Sequence, residues 1–93
     1  FMRYYMGEVC TDEKSGSLLT YYTLKNKRGF GIEIRQSHCE NPEISAVYGI
    51  TENQAEISLL TEQMMKGQLR PGQLVDVVDD YLDGKSPEKL PLR

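Results

Sequence analysis

The chain is 93 residues long, 39% hydrophobic and 27% charged, with a net charge of −3. That is the length of one domain with globular composition, large enough for a core without disulfide staples, so disorder and a two-domain organisation are excluded. No stretch approaches the ~20 apolar residues that cross a bilayer. No signal-peptide core stands at the N-terminus either, and Met2 has the look of a native start with Phe1 added ahead of it. The charge is uneven: residues 51–84 carry Glu52, Glu56, Glu62, Asp76, Asp79, Asp80 and Asp83 against Lys66 and Arg70. An acidic half suits a phosphate backbone poorly, because binding there rests on Lys and Arg displacing counterions. Neither nucleic acid nor membrane is therefore an expected partner. Cys10 and Cys39 follow no ligand or disulfide spacing and suit a reducing cytosol, so a cytoplasmic location is expected.

Taken in chain order, residues 3–12 mix tyrosine, valine and cysteine and predict a strand. Asp12 to Ser17 makes a turn around Gly16, and residues 18–25 return as the second strand. After the turn at Asn26 to Gly29, residues 30–35 alternate, with Phe30, Ile32 and Ile34 on one face and Glu33 and Arg35 on the other. A looser connection over 36–43 leads to a fourth strand at 44–50. Short links between successive strands favour an antiparallel meander. The period then changes to 3.6. Thr51 and Gln54 have capping-box spacing ahead of a helix over 52–66, whose apolar stripe is Ile57, Leu60 and Met64 with Leu59 and Met65 beside it. Gly67 is placed to take the left-handed position that ends it. Pro71 opens a second helix over 71–83, stapled by Leu69 and Leu74 and closed by Gly84. Leu74, Val77, Val78, Tyr81 and Leu82 form its apolar stripe. Residues 85–93 carry two prolines and no period, the pattern of a flexible tail. The expected fold is α+β: one domain over 3–84, with a four-stranded antiparallel meander and a C-terminal helical hairpin packed on one face.

Such a fold leaves the second sheet face in water, and here that face is not simply polar. Gly31, Glu33 and Arg35 point out opposite Phe30, Ile32 and Ile34; counting parity along the fourth strand puts Val47 and Gly49 out beside inward Ile44, Ala46, Tyr48 and Ile50. In the second strand the choice between Leu18/Thr20/Tyr22/Leu24 and Leu19/Tyr21/Thr23 stays open. The doublets Tyr4-Tyr5 and Tyr21-Tyr22 put aromatic bulk on both faces whichever holds. Tyrosines can simply shelter strand glycines. They can also form a docking surface, and Tyr5, Tyr21 and Val47 are its candidates, with self-association as the specific expectation.

Several short motifs invite chemistry. Arg28-Gly29-Phe30-Gly31 resembles the start of an RNA-recognition signature, but Ile32, Glu33 and Arg35 break the remainder. Asp79-Asp80-Tyr81-Leu82-Asp83 matches a magnesium-diphosphate motif that needs a second copy across a large helical cavity, which this chain lacks. A solvated helix face explains the acids; Asp76, Asp80 and Asp83 then form a second candidate contact surface, for a basic partner. His38, Cys39 and Glu40 are the catalytic candidates on offer, against the plainer reading of a polar loop, since adjacent residues in an extended segment point apart. With so few nitrogen and sulfur ligands no metal is expected, and no cofactor motif occurs.

The Phe-Gly-Ile-Glu-Ile strand, the Ile-Thr-Glu helix start and the stretch GQLRPGQLVDVVDDYL resemble a family of short uncharacterised proteins from Gram-positive anaerobic bacteria, a domain of unknown function. The resemblance spans most of 3–84 and implies a bacterial cytosolic origin without bringing an activity, cofactor or site residue. The expected function is a non-enzymatic protein-interaction or regulatory module whose partner is another protein or a second copy. The alternative is a small enzyme or small-molecule binder using a pocket between sheet and helices, with His38, Cys39 and Glu40 at its mouth.

Overall fold

The computed structural model describes residues 1–11 and 16–85. Four strands, β1 (Met2–Cys10), β2 (Leu18–Asn26), β3 (Gly29–Ser37) and β4 (Glu43–Thr51), form one sheet in the order β1-β2-β3-β4, every neighbouring pair antiparallel. Helix α1 (Gln54–Lys66) follows, then a 3-10 turn over Pro71–Gln73 that continues directly into α2 (Leu74–Lys85). The α+β meander expected from the alternation is the observed fold. The shortest axis of the molecule is 19 Å, the depth of one sheet plus one layer of helices. Most of the first hairpin turn and the predicted tail beyond Lys85 lie outside the described residues.

The core lies between the layers. The sheet contributes Leu19, Tyr21, Phe30, Ile32, Ile34 and Ile50; the helices contribute Ile57, Leu60, Met64, Leu74 and Val78. The α1 residues recur at i, i+3 and i+7, so one stripe of that helix meets the sheet. Each such side chain, fully buried, contributes roughly 1.5–3 kcal/mol. Leu59 and Leu82 fall off their stripes and are exposed. Tyr81, near the end of α2, donates its hydroxyl proton to Glu56 near the start of α1. The helices therefore run antiparallel, as the short link between them requires.

Both helix ends of α1 sit away from their expected residues. Asn53, not Thr51, is the N-cap: its side chain accepts from the Glu56 amide at 3.0 Å, while Thr51 accepts from the Asn53 amide and donates to Glu56 at 2.7 Å. Asparagine is among the best N-cap residues because its short amide reaches the third amide of the helix. At the far end Gly67 stays right-handed, with φ −86°, and Gln68 takes the left-handed conformation at φ 52°. The Gln68 amide donates to the Met65 carbonyl and the Leu69 amide to the Met64 carbonyl, at 3.1 and 3.0 Å. That pair of bonds is a Schellman motif, one residue later than the glycine suggests. Gly84 does not close α2, which runs through it to Lys85.

Two bulges decide which residues each sheet face carries. The β1–β2 register slips between Tyr5 and Gly7, so Arg3 and Tyr5 face outward while Val9 faces the core. On β4, Val47 opposes Ile32 but Thr51 opposes Phe30, leaving extra residues on β4 against Gly31. Gly49 makes the bulge with φ 66°. A Cβ on Gly31 would fall 2.2 Å from the Val47 carbonyl oxygen, so only glycine admits the bulged strand. The parity counted along β4 from Ile50 is therefore reversed before the bulge: Val47 packs against the core, while Ile44 and Tyr48 are exposed.

Candidate functional site

The outer face of the sheet holds the most organised group of charged and aromatic side chains. The β2–β3 register sets Tyr22 opposite Glu33, and β1 sets Tyr5 opposite Tyr22 and Arg3 opposite Leu24. Across β3, Ala46 opposes Glu33 and Ile44 opposes Arg35. Glu33 is thus ringed on all sides and only 3% exposed. Taking a carboxylate out of water costs several kcal/mol unless charge and hydrogen bonds compensate. Here two arginines do so: Arg3 donates Nε–H to Oε1 at 3.2 Å, and Arg35 donates Nε–H to Oε2. Hydrogen bonding to Glu33, opposed in part by desolvation, pushes the Arg35 guanidinium up from its already high range.

Both guanidinium groups also stack on Tyr22, at 5.6 Å for Arg3 and 5.2 Å for Arg35 from the ring centroid. Tyr5 meets Tyr22 edge-on at 6.0 Å, and Phe1 meets Tyr48 edge-on at 5.9 Å with Arg3 over the Phe1 ring. The result is a charged cluster, two arginines around one carboxylate, set among rings. At its margin Tyr5 is 59%, Ile44 65% and Tyr48 42% exposed.

The residues expected at functional surfaces separate into different places. Tyr5 is on this face. Tyr21 is not: it is fully buried on the opposite face, its hydroxyl donating to the Leu69 carbonyl at 2.8 Å, and burial pushes its pKa up to about 12. Val47 is half-buried against the core for the reason of the bulge. Both are corrections to the expected docking surface. Asp76, Asp80 and Asp83 are exposed on α2, with Asp79 beside them. His38 and Glu40 are exposed and Cys39 is half-buried in the bend after β3. A shallow apolar groove of about 160 Å³ opens between the helices, lined by Leu60, Gln63, Met64, Gly67, Leu69 and Val77. His38, Cys39 and Glu40 do not line this groove. Among the described residues no group of three or more His, Cys, Asp or Glu is placed to hold a metal ion, and no helix is long and apolar enough to cross a membrane.

No sequence motif marks Arg3, Tyr22, Glu33 and Arg35 as a group. The available signal was Glu-x-Arg at 33 and 35, opposite charges two apart and so on one sheet face. Arg3 and Tyr22 join them only through strand pairing.

The profile of a family of unknown function, DUF6514, matches residues 3–84, which run from the first arginine of the cluster to the penultimate residue of α2. The chain belongs to the DUF6514 family. The segment matched by DUF6514 contains every outer-face residue described above except Phe1. No curated protein and no solved structure matches the chain.

Proposed function

We propose that this chain is a non-enzymatic protein-interaction module and that the outer face of its sheet is the contact surface. The observation that carries the reading is the exposure of Tyr5, Ile44 and Tyr48 around the ordered Arg3–Tyr22–Arg35 cluster. Tyrosine and arginine dominate the energetics of protein contacts because each buries a large area while keeping a polar or charged tip satisfied. A solvated sheet face with no partner would be served by short polar side chains. The partner is another protein or a second copy of this chain. A cytoplasmic setting is part of the same proposal: Cys10 and Cys39 are both free thiols, and Cys10 is exposed. The alternative of a small-molecule site at the 36–43 loop has only that loop's residue types behind it.

The double substitution Tyr5→Ser with Ile44→Ser tests the surface, since both side chains point away from the core. Sedimentation velocity over a wide concentration range and capture from lysate are compared for the two proteins. A dimer, or a captured protein, that is present with the wild type and lost with the double variant supports the proposal. Identical behaviour of the two proteins in both measurements sinks it.

A further inference from the structure

The two arginines use only part of their donor sets. Each donates to Glu33 through Nε, which leaves the Nη donors of the guanidinium for other partners. Their side chains are 39% and 37% exposed, so those donors face solvent at the surface of the cluster. Each guanidinium is held by the bond from its Nε to the Glu33 carboxylate and lies over the Tyr22 ring, which removes much of the entropy that a free arginine loses on binding. Two guanidinium charges around one carboxylate leave the desolvated cluster one positive charge in excess. Lys27 and Arg28, exposed in the adjoining β2–β3 turn, extend the excess at that end of the sheet. Glu8 is the other acid that strand pairing places on this face; it opposes Thr20 and is exposed, with its carboxylate beside the Tyr5 hydroxyl.

We infer that the outer sheet face binds an acidic peptide segment of a partner protein, one carboxylate on the Nη edges of Arg3 and Arg35 and its apolar side chains against Tyr5, Ile44 and Tyr48. This rests on the proposed reading of the face as a protein-contact surface and adds the chemistry of what it contacts. Charge selects the occupant. One carboxylate brings the cluster to neutrality and matches the flat two-pronged edge of a guanidinium. A phosphate dianion overshoots that balance and meets Glu33 directly beneath the arginines. A second copy seated face to face would bring four arginines together. The aromatic and aliphatic margin, in turn, has no use for a free inorganic anion and suits the side chains of a peptide.

A random-peptide display library panned on the folded chain tests this. The selected sequence is then titrated as a synthetic peptide beside its analogue with glutamine and asparagine for each glutamate and aspartate. Selected sequences are expected to carry acids beside apolar residues, and the neutral analogue is expected to bind about tenfold more weakly or worse. Arg3→Gln or Arg35→Gln, checked for folding by thermal melting, should erase the difference between the two peptides. If neither variant folds, the arginine Nε–H resonances of the wild type report instead, shifting with the acidic peptide and not with its analogue. Selection of neutral or basic sequences, or equal affinity of both peptides, overturns the acidic assignment while leaving the surface standing. If no selected peptide is lost on Tyr5→Ser with Ile44→Ser, the surface itself fails as well.

Discussion

Tyr21 and Tyr22 are chemically identical neighbours with opposite fates. Tyr22 lies under two guanidinium groups on the outer face, and Tyr21 is sealed in the core with its proton on the Leu69 carbonyl. Burial raises the Tyr21 pKa from 10.0 to about 12, so the folded state holds this proton more tightly than the unfolded chain does. The resulting stabilisation is complete below pH 10 and is lost as pH climbs through 12. Its size at full loss is roughly 2–3 kcal/mol, at about 1.4 kcal/mol per unit. Tyr21→Phe should cost about 1 kcal/mol near neutrality, because the Leu69 carbonyl loses its donor. The variant should also lose stability less steeply than the wild type between pH 10 and 12. Urea unfolding of both proteins at several pH values reads the two slopes, and parallel curves would refute the assignment.

The loop between the helices shows how one residue of offset changes what a glycine does. Gly67 is right-handed, and a Cβ there would approach nothing closer than 3.6 Å, whereas Gln68 carries φ 52°. A non-glycine residue in the left-handed region loses roughly 1–2 kcal/mol to contact between Cβ and the backbone. Gln68→Gly should therefore stabilise the fold by about 0.5–1 kcal/mol, raising Tm by several degrees. Gly67→Ala should be neutral or mildly stabilising, since alanine restricts the unfolded chain at a position it can occupy. Had Gly67 been the left-handed residue, the same alanine would destabilise; thermal melts of the two variants decide the matter.

Across its thin axis the molecule presents two different charges. The outer sheet face carries Arg3 and Arg35, while α2, against the other side of the sheet, exposes Asp76, Asp79, Asp80 and Asp83. The net charge of −3 describes neither side. With 19 Å along the shortest axis and a screening length of about 8 Å in physiological salt, the two faces act almost independently. Asp80→Lys should therefore leave the affinity for an acidic peptide within about twofold of wild type, whereas Arg35→Gln should not. Peptide titration of both variants checks this. An equal effect from Asp80 would mean that overall charge, and not the cluster, governs binding.

The elements were legible along the chain because each rests on local periods. Phe30, Ile32 and Ile34 alternate, Ile57, Leu60 and Met64 recur at helical spacing, and Pro71 opens its turn where its missing N–H is not needed. These depend on a residue's neighbours in sequence, so the chain alone determined the meander, the helices and their order. The make-up of the outer face depended on tertiary contacts. A bulge at Tyr5/Gly7 and another around Gly49 reverse parity part-way along a strand; a glycine stands at each, but a lone strand glycine serves equally for close backbone approach and does not fix the new parity. The second bulge is set by how closely β4 approaches Gly31, and the orientation of Tyr21 by a carbonyl 48 residues away. Contacts between residues distant in sequence placed Tyr48 and Ile44 outside, Tyr21 and Val47 inside, and two arginines around Glu33.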